Sequence, residues 1–84
     1  MILKMFTIRD RATDSFGNPM FLVSPGQAIR SFTDEVNRAD KDNQLYNHPD
    51  DFDLYYLGEY NSSSASFTSS GPEMLLIGKS AAIR

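Results

Sequence analysis

The sequence predicts an α+β fold: a small antiparallel sheet of about four or five strands packed on one main helix, in the order β-β-α-β-β, with a C-terminal element open between strand and helix. Three observations carry this reading. One stretch, Ser24 to Asn37, has a helical start signal and a helical apolar stripe. The segments on either side alternate at the period of a strand. Gly, Pro, Asn and Ser clusters punctuate them. At 84 residues the chain is read as one domain over 1–84, with an N-terminal hairpin (1–23), the helix (24–39), a second hairpin (52–69) and a C-terminal segment (73–84).

Residues 1–9 read as the first strand. Ile2, Phe6 and Ile8 share one side with Lys4, and Leu3, Met5 and Thr7 share the other. Apolar residues on both sides imply a central strand or one covered on both faces. Asp10 to Pro19 is turn chemistry, with Phe16 at its tip, and Met20 to Val23 returns antiparallel to the first strand.

The helix begins at Ser24, whose hydroxyl is suited to accept from a first-turn N–H. Pro25 falls at the first helical position, and Gln27 completes a capping-box pattern. Ile29, Phe32 and Val36 form the stripe, with Ala28 and Ala39 beside it. Arg30, Asp34 and Arg38 are spaced to pair along a solvated face. The last turn is expected near Arg38 or Ala39.

Asp40 to Asp51 reads as a polar connection pinned by Leu45 and Tyr46. Phe52 to Tyr60 is the clearest strand, with Phe52, Leu54 and Tyr56 alternating with Asp53, Tyr55 and Leu57. Asn61 to Ser64 turns the chain, and Ala65 to Ser69 returns as a hairpin carrying Phe67. Gly71-Pro72 reads as a break. Met74 to Ile77 fits a strand or a helical turn equally.

Composition narrows the function classes. The chain has no cysteine, which excludes disulfides, a thiolate nucleophile and cysteine metal sites. Its single histidine, His48, has no marked catalytic partner, so no enzyme, catalytic residue or cofactor is expected. His48-Pro49-Asp50-Asp51 with Asp53 reads as a solvated turn rather than a metal site. Gly78-Lys79-Ser80 lacks the upstream glycine of a phosphate-binding loop, because position 73 is Glu. Asn61-Ser62-Ser63 reads as a turn, not a glycosylation acceptor. No apolar run approaches a membrane span and no signal peptide is read, so a soluble protein is expected.

Net charge is −3, which is unlike a strongly electrostatic nucleic-acid binder. The charge is uneven, however. Lys4, Arg9 and Arg11 stand against Asp10 alone in residues 1–11, while Asp40, Asp42, Asp50, Asp51, Asp53 and Glu59 stand against Lys41 alone in residues 40–59. Phe6, Phe21, Phe32, Phe52 and Phe67 are expected in the core. Phe16 and Tyr55 are expected outside it, with Tyr56 or Tyr60 depending on which face is covered. Lys4, Arg9, Arg11, Phe16 and Tyr55 are therefore the candidate single-strand DNA platform, pairing cations with stacking surfaces. A chain this small has a thin core, so a homodimer with pooled basic hairpins is expected.

Two stretches carry a family resemblance. Gly26-Gln27-Ala28-Ile29-Arg30-Ser31-Phe32-Thr33-Asp34-Glu35-Val36-Asn37 resembles a helix of the small nonstructural protein of gokushoviruses, microvirid phages with circular single-stranded DNA genomes. Tyr46-Asn47-His48-Pro49-Asp50-Asp51-Phe52, running into the strand that ends Leu57-Gly58-Glu59-Tyr60, resembles that family's loop and strand. The likeness covers most of residues 1–60. The family is described as a DNA-binding or replication-associated phage protein, absent from the virion and likened to the microvirid protein that switches genome synthesis toward packaging. No catalytic residues come with it. The resemblance implies a nonenzymatic accessory protein in the host cell cytoplasm, acting on single-stranded DNA or, alternatively, as an adaptor for a phage or host replication protein without touching DNA.

Overall fold

A computed structural model describes residues 1–84. The elements are β1 (Ile2–Asp10), β2 (Ser15–Phe16), β3 (Met20–Leu22), α1 (Pro25–Val36), α2 (Gln44–Asn47), a 3-10 turn (Pro49–Asp51), β4 (Phe52–Asn61), β5 (Ser66–Ile77) and α3 (Gly78–Ala81). All strand pairs are antiparallel. Strand β1 is central: β4 pairs along one side of it, and β2 and β3 share the other. Strand β5 is the outer strand beyond β4.

The α+β class holds, but three strands rather than two precede α1, since Ser15–Phe16 pairs with β1 inside the stretch read as turn, and the molecule is sheet-dominated with three helices instead of one. Two corrections account for this. The Asp40–Asp51 connection is not structureless, since it holds α2 and the 3-10 turn. The strand β5 does not break at Gly71-Pro72 but runs on to Ile77. A proline is tolerated there because the outer side of an edge strand needs no N–H donor. Gly71 takes the positive φ of 71° that the bend requires.

Helix α1 starts as its sequence predicts. The Ser24 Oγ accepts from the Gln27 N–H at 3.2 Å. Gln27 Oε1 reaches back to the Val23 N–H at 2.9 Å, one residue before the expected partner. The helix ends at Val36, earlier than the predicted Arg38 or Ala39. The polar residues after it explain the stop, because they supply partners for its last carbonyls. Asn37 Nδ2 donates to the carbonyls of Thr33 (2.8 Å) and Ala81 (3.0 Å), tying α1 to α3. Buried Asn43 donates to the carbonyls of Glu35 (2.8 Å) and Arg38 (2.9 Å) and accepts from the Leu45 N–H (3.1 Å), so it closes α1 and caps α2 together. The Arg84 guanidinium donates to the carbonyls of Val36 (2.9 Å) and Tyr46 (2.7 Å) and lies 3.8 Å over the Tyr46 ring. The predicted Arg30–Asp34–Arg38 pairing is replaced: Arg38 pairs with Glu35 (2.6 Å) and Asp40 (3.1 Å). Arg38 holds the Glu35 carboxyl below the usual carboxylate range.

The core is formed by Phe6, Leu54, Ala28, Phe32, Val36 and Ala81. It lies between the sheet and the helices. Directly opposed residues of an antiparallel pair share a face, so β1 places Lys4, Phe6 and Ile8 on the helix side, as predicted. Ile29 sits at the rim, 38% exposed, so the buried stripe is Ala28, Phe32 and Val36.

Register explains the other face. Met5 opposes Gly58 and Phe6 opposes Tyr56, so Leu57 is an extra residue, a β-bulge in β4. Tyr56 therefore faces the helices, while Tyr60, four residues on, faces away from them. Phe21 and Phe67, expected in the core, are 44% and 66% exposed on that open face. The physical reason is side: Phe21 opposes Met5 and Phe67 opposes Tyr60, so both point away from the face on which Phe6 and Leu54 meet the helices.

Candidate nucleic-acid interface

Of the five residues picked from sequence, three converge. Phe16 on β2 and Tyr55 on β4 flank β1 and meet across it, ring centroids 5.3 Å apart and nearly perpendicular. The position between them belongs to Thr7, which opposes Tyr55. Its hydroxyl donates to the Gly17 carbonyl at 2.8 Å, which holds the Phe16 loop down. Arg9 opposes Phe16 directly. Its guanidinium is held by Asp14 at 2.7 Å and, secondarily, by the Tyr55 hydroxyl, and both raise its pKa. Asp14 is 83% exposed, so this ion pair is a weak surface one. A phosphate could take the place of Asp14 at little cost.

Lys4 and Arg11 do not join them. Lys4 lies on the helix face, ion-paired with Glu59, which opposes it on β4. That hydrogen bond is the main cause of its raised pKa. Arg11 serves the fold. Its Nε is 3.1 Å from the carboxylate of Asp53, whose side chain is only 4% exposed. Its guanidinium also donates to the Asp50 carbonyl, and its N–H to that of Asp51 at 2.7 Å. The other carboxylate oxygen of Asp53 is buried without a partner. Removing Arg11 thus strands a buried charge. We expect Arg11→Met to lower stability by about 2 kcal/mol, less than the 3–5 of a fully buried pair because Arg11 is partly wet. Arg9→Met should change stability by less than about 0.5 kcal/mol. Urea denaturation followed by circular dichroism compares the two, and equal midpoints would refute the structural role of Arg11.

Sequence reasoning missed a second aromatic group on the same open face. Tyr60 packs between Phe21 (5.7 Å, edge to face) and Phe67 (5.3 Å, tilted), a band that crosses from β3 to β5. Phe21 opposes Met5 and Phe16 opposes Arg9, so the two groups are four residues apart along β1, roughly 14 Å. The signal was Gly58. A glycine inside a strand marks a bulge, and the bulge moves Tyr60 to the open face.

The remaining motifs have structural roles. Gly78 is buried because a Cβ there would meet the Pro49 carbonyl oxygen at 2.2 Å and that of Phe52 at 2.6 Å, so α3 docks on the 3-10 turn. His48 and Asp51 line a crevice of about 310 Å³ with Asp10, Gln44 and Phe52. No three His, Asp or Glu side chains converge on a point. Asn61 Oδ1 accepts from the Ser63 N–H at 2.9 Å and shapes the hairpin turn. No helix is long and apolar enough to cross a membrane.

Comparison with known proteins gives two matches. A family model described as Phage ORF5 protein matches residues 3–82, beyond the residues 1–60 of the resemblance drawn above. The chain is also 34% identical over 64 residues to Protein ORF5 of Chlamydia phage 1, across 74% of this chain and 67% of that protein. No solved structure matches it.

Proposed function

The chain belongs to the Phage ORF5 protein family, and on that footing we propose that it is a nonenzymatic phage accessory protein that contacts single-stranded DNA through the open face of its sheet. Its place of action is the host cell cytoplasm, in viral DNA replication or the switch to packaging. The observation that carries the reading is the open sheet face itself, with the Phe16–Tyr55 ring pair beside Arg9. Every base has a π-face, so stacking there is sequence-tolerant. Arg9 supplies one replaceable ion pair for a phosphate. The binding is weak, since the chain carries −3 and counterion release scales with cations engaged.

The test is fluorescence anisotropy with a labelled single-stranded oligonucleotide at low and raised salt. Binding should weaken with salt at a logarithmic slope of about −0.7 per phosphate neutralised. Phe16→Ala should weaken it by about 1–3 kcal/mol and leave the fold intact, because Phe16 is half exposed. No binding at low salt, or no response to Phe16→Ala, defeats the reading.

A second reading is favoured by the ion pairs. Lys4 and Arg11 are engaged by Glu59 and Asp53 and are not offered to phosphates. An adaptor that docks on a phage or host replication protein needs no free cations. Pull-down from infected cells separates the two, and a partner retained after nuclease treatment supports the adaptor.

A further inference from the structure

We propose that a second copy of this chain adds to the outer edge of β5 across Ser66–Ser70, joining two sheets about a twofold axis near Thr68. Strand β5 has a paired side, facing β4, and an open side. Residues 66 to 74 are exposed. An open edge presents a row of unpaired N–H and C=O groups, and proteins that stay apart blunt such edges with Lys, inward charges, Pro or bulges. Here the guards are misplaced for that purpose. Residues 60–72 carry no charge at all, and the first charge is Glu73. The bend at Gly71 and the ring of Pro72 lie beyond Ser70, so they limit pairing to Ser66–Ser70 without preventing it.

The occupant is a second copy for three reasons. An antiparallel edge is self-complementary, since a twofold axis lets each strand exchange the same bonds with the other. Two chains of charge −3 repel least where the meeting strand is uncharged: residues 66–70 carry no charge, Glu59 opposite Thr68 is already paired with Lys4, and this edge lies at the opposite end of β5 from α3, which packs on the acidic turn Pro49–Asp51. The exposed Phe67, packed at a tilt on Tyr60 on the open face, borders the pairing site. A second copy would extend the sheet through the axis and set two Phe67–Tyr60 pairs side by side. The edge pairing is independent of DNA binding.

The chain's lack of cysteine makes the test clean. Thr68→Cys, Ser69→Cys and Ser70→Cys are made singly, with Ser31→Cys on the exposed side of α1 as control. With the axis near Thr68 that residue opposes its own copy, with Cα atoms about 4.5–5.5 Å apart and within disulfide reach, while Ser69 and Ser70 report an axis displaced along the strand. Light scattering from low micromolar to near-millimolar protein should show a concentration-dependent dimer, and mild oxidation should cross-link at least one edge variant well ahead of Ser31→Cys. Ser69→Lys faces Gly58, which has no side chain to disturb. It should keep the circular dichroism spectrum and weaken self-association several-fold through like charges across the axis. A chain that stays monomeric throughout, edge cysteines that link no faster than the control, or a dimer indifferent to Ser69→Lys each overturns the proposal.

Discussion

Gly58→Ala is expected to remove a large share of the stability of this fold. The residue sits in β4 at φ +139°, a conformation that L side chains rarely adopt. A Cβ there would meet the Thr68 carbonyl oxygen at 2.0 Å and Ser69 Cα at 3.0 Å, both backbone. Neither can move aside without breaking the β4–β5 ladder at the bulge. Backbone strain of about 1–3 kcal/mol and overpacking of about 1–3 kcal/mol add to a loss of about 2–6 kcal/mol. Stability for 84 residues is about 4–12 kcal/mol. Gly26→Ala is the control: it lies in the first turn of α1, its nearest neighbour is Ser24 Oγ at 3.9 Å, and it should be neutral or stabilising by up to about 1 kcal/mol. Urea midpoints by circular dichroism decide it, and a Gly58→Ala midpoint equal to wild type would overturn the bulge.

Phe6→Ala should cost about 3–5 kcal/mol. Phe6 is fully buried, packs in one cluster with Phe32, Val36 and Leu54, and tilts against Tyr56 at 5.5 Å. Backbone pairing on both sides of β1 keeps its neighbours from collapsing into the void. At about 4–8 °C per kcal/mol for a domain of this size, the melting midpoint falls by roughly 12–40 °C. Phe67→Ala, at a ring 66% exposed, should shift it by only a few degrees. Similar shifts for both would mean that the assigned core is wrong.

These two phenylalanines show where the sequence was legible. Both read as core, because each sits in an apolar strand. Only Phe6 is, because burial of a strand residue depends on what lies above it, and Phe67 opposes Tyr60 on the face that the helices do not cover. The start of α1 was legible because Ser24, Pro25 and Gln27 act within a few residues of one another. Its end was not, because Asn37 and Asn43 work through carbonyls and chain segments remote in sequence. The run of β5 through Gly71-Pro72 was hidden for the same reason: being an edge is a property of the sheet, not of the dipeptide. In the candidate interface, residue type picked out Lys4, Arg9, Arg11, Phe16 and Tyr55, of which Arg9, Phe16 and Tyr55 come together. It could not separate Arg9 from Lys4 and Arg11, whose partners Glu59 and Asp53 arrive only with β4.

The central position of β1 also sets the order in which the molecule can be completed. During synthesis β1, β3 and α1 emerge first, and they hold Phe6, Ala28, Phe32 and Val36. The other half of that core, Leu54 and Ala81, belongs to β4 and α3. At roughly 5–20 residues per second, the stretch from Val36 to Ile77 takes about 2–8 s to make. For that interval Phe6 and the α1 stripe have each other but not Leu54 and Ala81, so the core can close only after a strand more than forty residues downstream of the one it must join has been made.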